Sequence, residues 1–480
     1  MTVIDPPRAP RFGPRPGADG RQGEDQSEPT GRLPAWPLFM LLVLFPLWWF
    51  LGLSTFIFPI LAAPMALFLL RRRPIKVPPG FLLWALFLVW VVAGVAMLGV
   101  NPPGTVAEPA SSRLVAYALR TVNYFSVTVI FLYAGNLTER ELPRLRLVRM
   151  LGALFVTTLV GGLVGIAFPT LQLRSPVSSL LPASLAADDF VQRLVTPSVA
   201  QVQEVLGGVP RPSAPFEYTN AWGNNLSILM VWFVLGWVVY GSRLRRGLGV
   251  LLLLLAVIPV TFSLNRGLWI GLLLSFVYVA FRLALRGKAL AVVAIALALV
   301  VGGAVFTASP LQGIVADRLQ NQHSNELRTS LTRDAISGAT RSPVIGFGST
   351  RAVQGARRSV AVGPTSQCPQ CGGAVIGSNG HLWLLIFSHG FIGAALYVGF
   401  FLQAIVRYWR DTTPLGIAGG LSIALPLFYM FVYGALVSPL CMYLLSMALL
   451  WRNDMERRRA RALASAERAV VPATAGAGVG

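Results

Sequence analysis

The sequence predicts an all-α, polytopic helical membrane protein. It predicts about 12 transmembrane helices, both termini cytoplasmic, and two long extracytoplasmic loops with short helices. Three observations lead there. First, 55% of the 480 residues are apolar and the mean hydropathy is +0.64. Second, only 12% are charged, whereas a soluble chain of this length carries about a quarter. Third, several apolar runs approach or exceed the roughly 18 residues that mark a membrane span.

Taken in order, residues 1–33 are rich in Pro, Gly and Arg and mixed in charge. They lack a cleavable signal pattern and read as a disordered cytoplasmic N-terminus. Residues 34–451 form the transmembrane domain. Its apolar blocks lie near 35–51, 54–70, 80–99, 114–135, 147–168, 220–240, 247–263, 267–283, 288–306, 382–406, 414–433 and 435–451. The hairpins 35–70 and 414–451 have very short turns. Residues 452–480 read as a basic cytoplasmic tail with a disordered end, VPATAGAGVG.

Orientation follows from Arg and Lys. With the N-terminus inside, the inner short loops are 71–76 (RRRPIK), 136–146, 241–246 (GSRLRR), 284–287 and 407–411 (RYWRD). All carry basic residues, as does the tail, while the short outer loops carry Arg113 and Arg266 and little else. This alternation is the positive-inside pattern. It places loops 169–219 and 307–381 outside. Loops of that length are functional or disordered, and the amphipathic pieces in these two predict short helices on the outer face.

Net charge is +21, nearly all from arginine; Lys76 and Lys288 are the only lysines. Most of this charge sits in short inner loops, so the expected partner is membrane lipid and no nucleic acid. All 19 acidic residues fall in loops or tails. A proton-coupled carrier generally needs an ionisable group at mid-membrane, so that class is disfavoured. Arg120, in LVAYALRTVNYF, is the one charge well inside a span. It could contact a lipid phosphate, snorkel, or bond to backbone carbonyls. No P-loop, GxGxxG element or HExxH motif is present. No cofactor and no metal are expected. Cys441 lies in an apolar block. Cys368 and Cys371 form CPQC in an outer loop, without the second pair that a zinc ribbon needs; a local disulfide is the expectation there.

The polar residues concentrate between 325 and 393, with Arg211 and Arg266 on the same predicted side. Arg211 lies in RPSAPFEYTN, Arg266 in SLNRGLW, and Arg328, Arg333 and Arg341 in the second long loop. A guanidinium forms bidentate, charge-assisted bonds with phosphate, so several at one interface suit a lipid-linked diphosphate. Arg333 and Arg341 read as a solvated helix face. Two histidines follow. His381, where the loop enters the tenth block, could take a proton from a hydroxyl near neutral pH. His389, about two turns later, reads as a packed residue.

Four pieces together resemble the O-antigen ligase and polymerase superfamily of bacterial envelope glycosyltransferases. RPSAPFEYTNAWGNNL looks like its Arg…Phe…Asn span entry, and SLNRGLWIGLL is similar to its Ser-Arg-Gly-Ala-Trp-Leu-Gly turn. NELRTSLTRDAISGATRSPVIGFG resembles its outer amphipathic helix, with Arg328 fifteen residues before Pro343. GHLWLLIFSHGFIGAALY resembles its His-Asn…Gly span entry. The resemblance implies a bacterial plasma-membrane enzyme working at the extracytoplasmic face. It would transfer a glycan from a polyprenyl-diphosphate carrier to a hydroxyl on a lipid or glycan acceptor, with inversion and without metal. It would use Arg266 and Arg328 on the diphosphate, Arg211 in support and His381 as general base.

The chain departs from the pattern at Leu382, where Asn is expected. The spacing from His381 to Gly390 is also about two residues short, so an alignment on the glycines would place Asn379 at the family histidine. CPQC is an insertion. A repeat-unit polymerase with the same donor stays open, as does a non-enzymatic flippase for lipid-linked oligosaccharide. A peptidoglycan polymerase would draw on Asp317 or Asp334.

Overall fold

The computed structural model describes residues 31–180, 191–192, 195–202, 210–307, 312–313, 323–354 and 374–470. Cys368, Cys371 and Asp317 lie outside the described residues, as does the side chain of His323.

The chain is mostly helical. In order come α1 Trp36–Leu42, α2 Phe45–Phe50, α3 Ile57–Arg71, α4 Phe81–Ala93 with a 3-10 turn Gly94–Met97, α5 Ala110–Asn136, α6 Arg144–Ala167 and α7 Pro176–Leu180. Then come α8 Thr219–Phe233 with a π turn Val234–Val239, α9 Arg243–Phe262, α10 Arg266–Ala284 and α11 Ala289–Thr307. The last are α12 His323–Arg341, α13 His381–Tyr408, α14 Pro414–Tyr429 and α15 Ser438–Val470. Two short antiparallel pairs, Ala200–Val202 with Pro210–Pro212 and Arg351–Ala352 with Val375–Ile376, hold the connecting loops.

Six helices among the described residues are long and apolar enough to cross a membrane: α5, α6, α8 with its π turn, α9, α10 and α13. The block at 35–51 is not one helix. It breaks between Leu42 and Phe45, with Pro46 just inside the second piece; proline fits a first turn because it lacks an N–H that a helix interior would need.

The core is built on α15, which packs against α5, α14 and α8. Cys441, Leu444, Leu445 and Leu449 of α15 are fully buried. By contrast α9 and α10 leave most of their apolar surface uncovered, and α11 packs on α10. In water such faces would be costly; against lipid tails they are not.

One end of the bundle is closed by polar joints. Glu141 accepts from the Leu33 amide (2.8 Å), the Arg72 guanidinium (2.8 Å), and both the amide and hydroxyl of Thr138 (2.9 Å each). Arg452 meets Glu139 at 2.9 Å, and Asn453 donates to Asp411 at 2.7 Å.

At the opposite end α13 does not run straight. Gly390 has φ +67° and ψ −179°, which breaks the helix. His381 and Tyr397 lie in one helical run, yet their rings meet at 5.0 Å between centroids. In a straight helix their Cα atoms would stand about 24 Å apart. The segment before Gly390 is therefore folded back against the segment after it.

The loop at 343–348 fills this fold. Phe347 N–H donates to Phe387 O (2.9 Å) and Gly348 N–H to Ser388 O (2.8 Å), while Phe391 N–H donates to Pro343 O (2.8 Å). Carbonyls freed by the break thus find partners, as buried backbone requires. A Cβ on Gly346 would come within 2.6 Å of the backbone of Ser388, His389 and Gly390. One on Gly390 would run into Val344 O. The close approach of the two backbones is what demands glycine in GFG and SHG.

Candidate functional site

Four of the residues singled out in the sequence, Arg211, Arg266, Arg328 and His381, meet around residues 430–437, the short connector between α14 and α15. His381 donates its amide to Tyr433 O (2.8 Å) and Leu382 donates to Met430 O (2.8 Å). Arg328, on α12, donates through Nη1 to Val432 O (2.8 Å) and Asn379 O (3.2 Å). Asn379 answers through Nδ2 to Arg328 O (3.2 Å) and Thr332 Oγ1 (2.8 Å). This pairing locks α12 to the entry of α13.

Tyr433 reaches the start of α10. Its hydroxyl donates to Asn265 Oδ1 and packs on Gly267, so it lies beside Arg266. Arg211 Nε donates to Ser263 O (2.7 Å), just ahead of the same helix. Leu264, between them, is held at φ +51°, a conformation in which a branched side chain is strained. Arg211 and Arg328 both lie within electrostatic reach of Tyr433. Burial pushes the Arg328 guanidinium below its usual range; Tyr433 opposes this and the like charge of Arg266 adds to it. Three guanidinia from three separate segments therefore share one neighbourhood.

His381 is buried, at 1% exposure. Its Nδ1 accepts from Ala435 N–H (3.4 Å) and its Nε2 faces the Tyr124 hydroxyl (3.4 Å). An amide at Nδ1 assigns the proton to Nε2 in the neutral ring. The lone pair available for a proton is then the one at Nδ1, under a long and weak hydrogen bond. Asn379, the alternative in that register, is engaged with α12 and is 2% exposed.

Arg120 lies in a different place. It is half-buried on α5, one turn before Tyr124, and donates to Ser349 Oγ (3.3 Å). His389 is fully buried and packs its ring against Phe87 and Tyr124. Neither of its ring nitrogens has a hydrogen-bond partner, and neither does Ser388 Oγ. Arg333 and Arg341 are exposed on α12, opposite the buried stripe of Leu331, Ala335 and Ala339. No group of three His, Cys, Asp or Glu side chains that could hold a metal occurs among the described residues.

Sequence reading missed several residues that build this region. Tyr433, Tyr124 and Asn265 carry no local pattern that separates them from ordinary span residues. Arg351 is another. It is 1% exposed and donates to the carbonyls of Phe347, Ser349, Thr350, Met97, Leu98 and Val100. Burial, with Arg113 nearby, lowers its pKa to about 10. It pins the 343–351 loop to the end of α4.

Comparison with protein-family models, curated proteins and solved structures finds no match to this chain.

Proposed function

We propose that the chain is a metal-independent inverting glycosyltransferase of the O-antigen ligase kind. It moves a glycan from a polyprenyl-diphosphate carrier to an acceptor hydroxyl at the outer face of a bacterial plasma membrane. In this reading the twelve apolar blocks are spans, both termini are cytoplasmic, and loops 169–219 and 307–381 face outward. One observation carries it: Arg211, Arg266 and Arg328 gather around Tyr433, on the connector that also holds His381.

The chemistry fits that arrangement. The acceptor oxygen attacks the anomeric carbon as the bond to the diphosphate oxygen breaks. The leaving diphosphate takes the electron pair, and fixed guanidinium groups stabilise charge that develops there. The acceptor proton passes to His381 Nδ1, which gives up the Ala435 contact. Depth also suits a lipid-borne donor. The 16 residues of α14 rise about 24 Å, short of the roughly 30 Å hydrocarbon core. With α14 starting at the inner boundary, as this reading has it, the connector would sit just beneath the outer one, at the level of the diphosphate of a membrane-embedded carrier.

The test is a reconstitution. Purified protein in liposomes with a lipid-diphosphate glycan should release polyprenyl diphosphate only when acceptor is added, and chelator should not stop it. A polymerase would use a second lipid-linked glycan as acceptor in the same assay. Movement of the donor between leaflets without diphosphate release would replace this reading by a flippase. Strict dependence on a divalent metal would overturn the mechanism.

A further inference from the structure

Three arginines, Arg113, Arg351 and Arg120, lie along the loop that lines the outer ends of α4 and α5. Two are saturated. Arg351 donates to six carbonyl groups, and Arg113 to Leu98 O, Asn101 Oδ1 and Val106 O, with Glu108 at 3.3 Å. Arg120 is not. A guanidinium carries five N–H donors, and Arg120 uses Nη1 alone, toward a serine hydroxyl at 3.3 Å. No carboxylate pairs with it among the described residues. It stands ten residues into α5, about 15 Å from the helix start, where an uncompensated cation is costly. The loop that carries Ser349 is bonded to the folded-back arm of α13 through Gly348 N–H to Ser388 O (2.8 Å), and on that arm Ser388 Oγ and both nitrogens of His389 are buried without partners. Unpaired polar groups cost free energy unless something satisfies them.

His381 stands between the two regions. One edge of its ring meets Ala435 of the arginine-ringed connector and the other meets Tyr124, one turn from Arg120. We infer that Arg120 and Ser349, backed by Ser388 and His389, form a second anion-binding site for a phosphate-type group, on the Tyr124 side of His381. Its ligand chemistry is a tetrahedral oxyanion, borne by a water-soluble substrate or by a lipid headgroup. A role in holding a phosphate-bearing acceptor rests on the transferase reading; the anion site itself does not.

The full-length protein in nanodiscs of neutral phosphatidylcholine is titrated with inorganic phosphate by calorimetry. In a parallel arm part of the lipid is phosphatidylglycerol, and retained lipid is counted by native mass spectrometry. The Arg120→Gln variant should bind about tenfold more weakly than wild type in at least one arm, with Arg120→Lys between them. A response to phosphate alone assigns a soluble ligand, and a response to phosphatidylglycerol alone assigns a headgroup. Equal binding by wild type and Arg120→Gln in both arms overturns the site. Should Arg120→Gln fail to fold, Ser349→Ala removes only a loop hydroxyl and should weaken binding roughly threefold; no change there is equally fatal. Farnesyl diphosphate binding separates the two proposals. In the Arg120→Gln background, which removes the second site, Arg266→Gln should abolish it, and its survival in that double variant would sink the donor site alone.

Discussion

The amide of Ala435 points at Nδ1 of His381 from 3.4 Å, across a chain separation that spans α13 and α14. That contact sets the tautomer of the ring and ties the proposed base to the connector that carries Tyr433. It also places Nε2 against Tyr124, so the ring is held at both edges inside the protein.

If His381 receives the acceptor proton, His381→Ala should lower turnover by about 10²–10⁴. Tyr124→Phe keeps the ring packing and loses one weak hydrogen bond, so its effect should stay within about tenfold. Steady-state rates in the reconstituted assay decide this, and a wild-type rate in His381→Ala would remove the base assignment.

The guanidinium cluster should behave as a leaving-group clamp. Arg266→Gln and Arg328→Gln should each reduce turnover about 10²–10³-fold. Lysine at either position should recover only part of the rate, because an ammonium lacks the planar fork that grips two phosphate oxygens. Arg333→Gln and Arg341→Gln, on the exposed side of α12, should leave turnover unchanged.

The fold at Gly390 should be intolerant of any side chain. Gly390→Ala combines a strained φ with an overlap onto Val344 O and should cost roughly 2–5 kcal/mol. Gly247, inside α9 with nothing within 4 Å of a would-be Cβ, is the control. Gly247→Ala should be neutral or stabilise by up to about 1 kcal/mol. Thermal unfolding in detergent measures both, and a Gly390→Ala protein as stable as wild type would refute the packing argument.

Glu141 predicts a stability loss in acid. Burial alone would raise its pKa. The Thr138 and Leu33 amides, with Arg72 and the Thr138 hydroxyl, outweigh that and hold it below the ordinary 4.5. A carboxyl depressed in the folded state contributes fully above its unfolded pKa and loses that contribution as pH falls through the folded value. Melting temperature should therefore drop as pH falls below about 4.5, and Glu141→Gln should flatten this part of the curve. A parallel acid limb in the variant would show that other carboxylates dominate. Removing the cation, in Arg72→Met, leaves the Glu141 carboxylate with its Leu33 and Thr138 hydrogen bonds but no countercharge, and should cost about 1–3 kcal/mol at neutral pH.

The sequence by itself determined the helical class and the places where helices lie. Apolar runs with few charges can bury their backbone polar groups in lipid only as helices. Every apolar block contains helix, though the 35–51 block is split. It also marked Arg211, Arg266, Arg328 and His381, because charged residues among apolar blocks stand out. What joins them was decided only in three dimensions. Nothing in SLNRG announces that a tyrosine from the 430–437 connector will lie on it, since tyrosine at span ends is common and its partner is 168 residues away. The folded-back α13 was equally hidden. Its apolar pattern continues through Gly390, and glycine inside a span is ordinary. The break arises because the 343–348 backbone arrives to satisfy the freed carbonyls. That partnership belongs to the tertiary fold, and it sets where His381, Tyr124 and Arg120 meet.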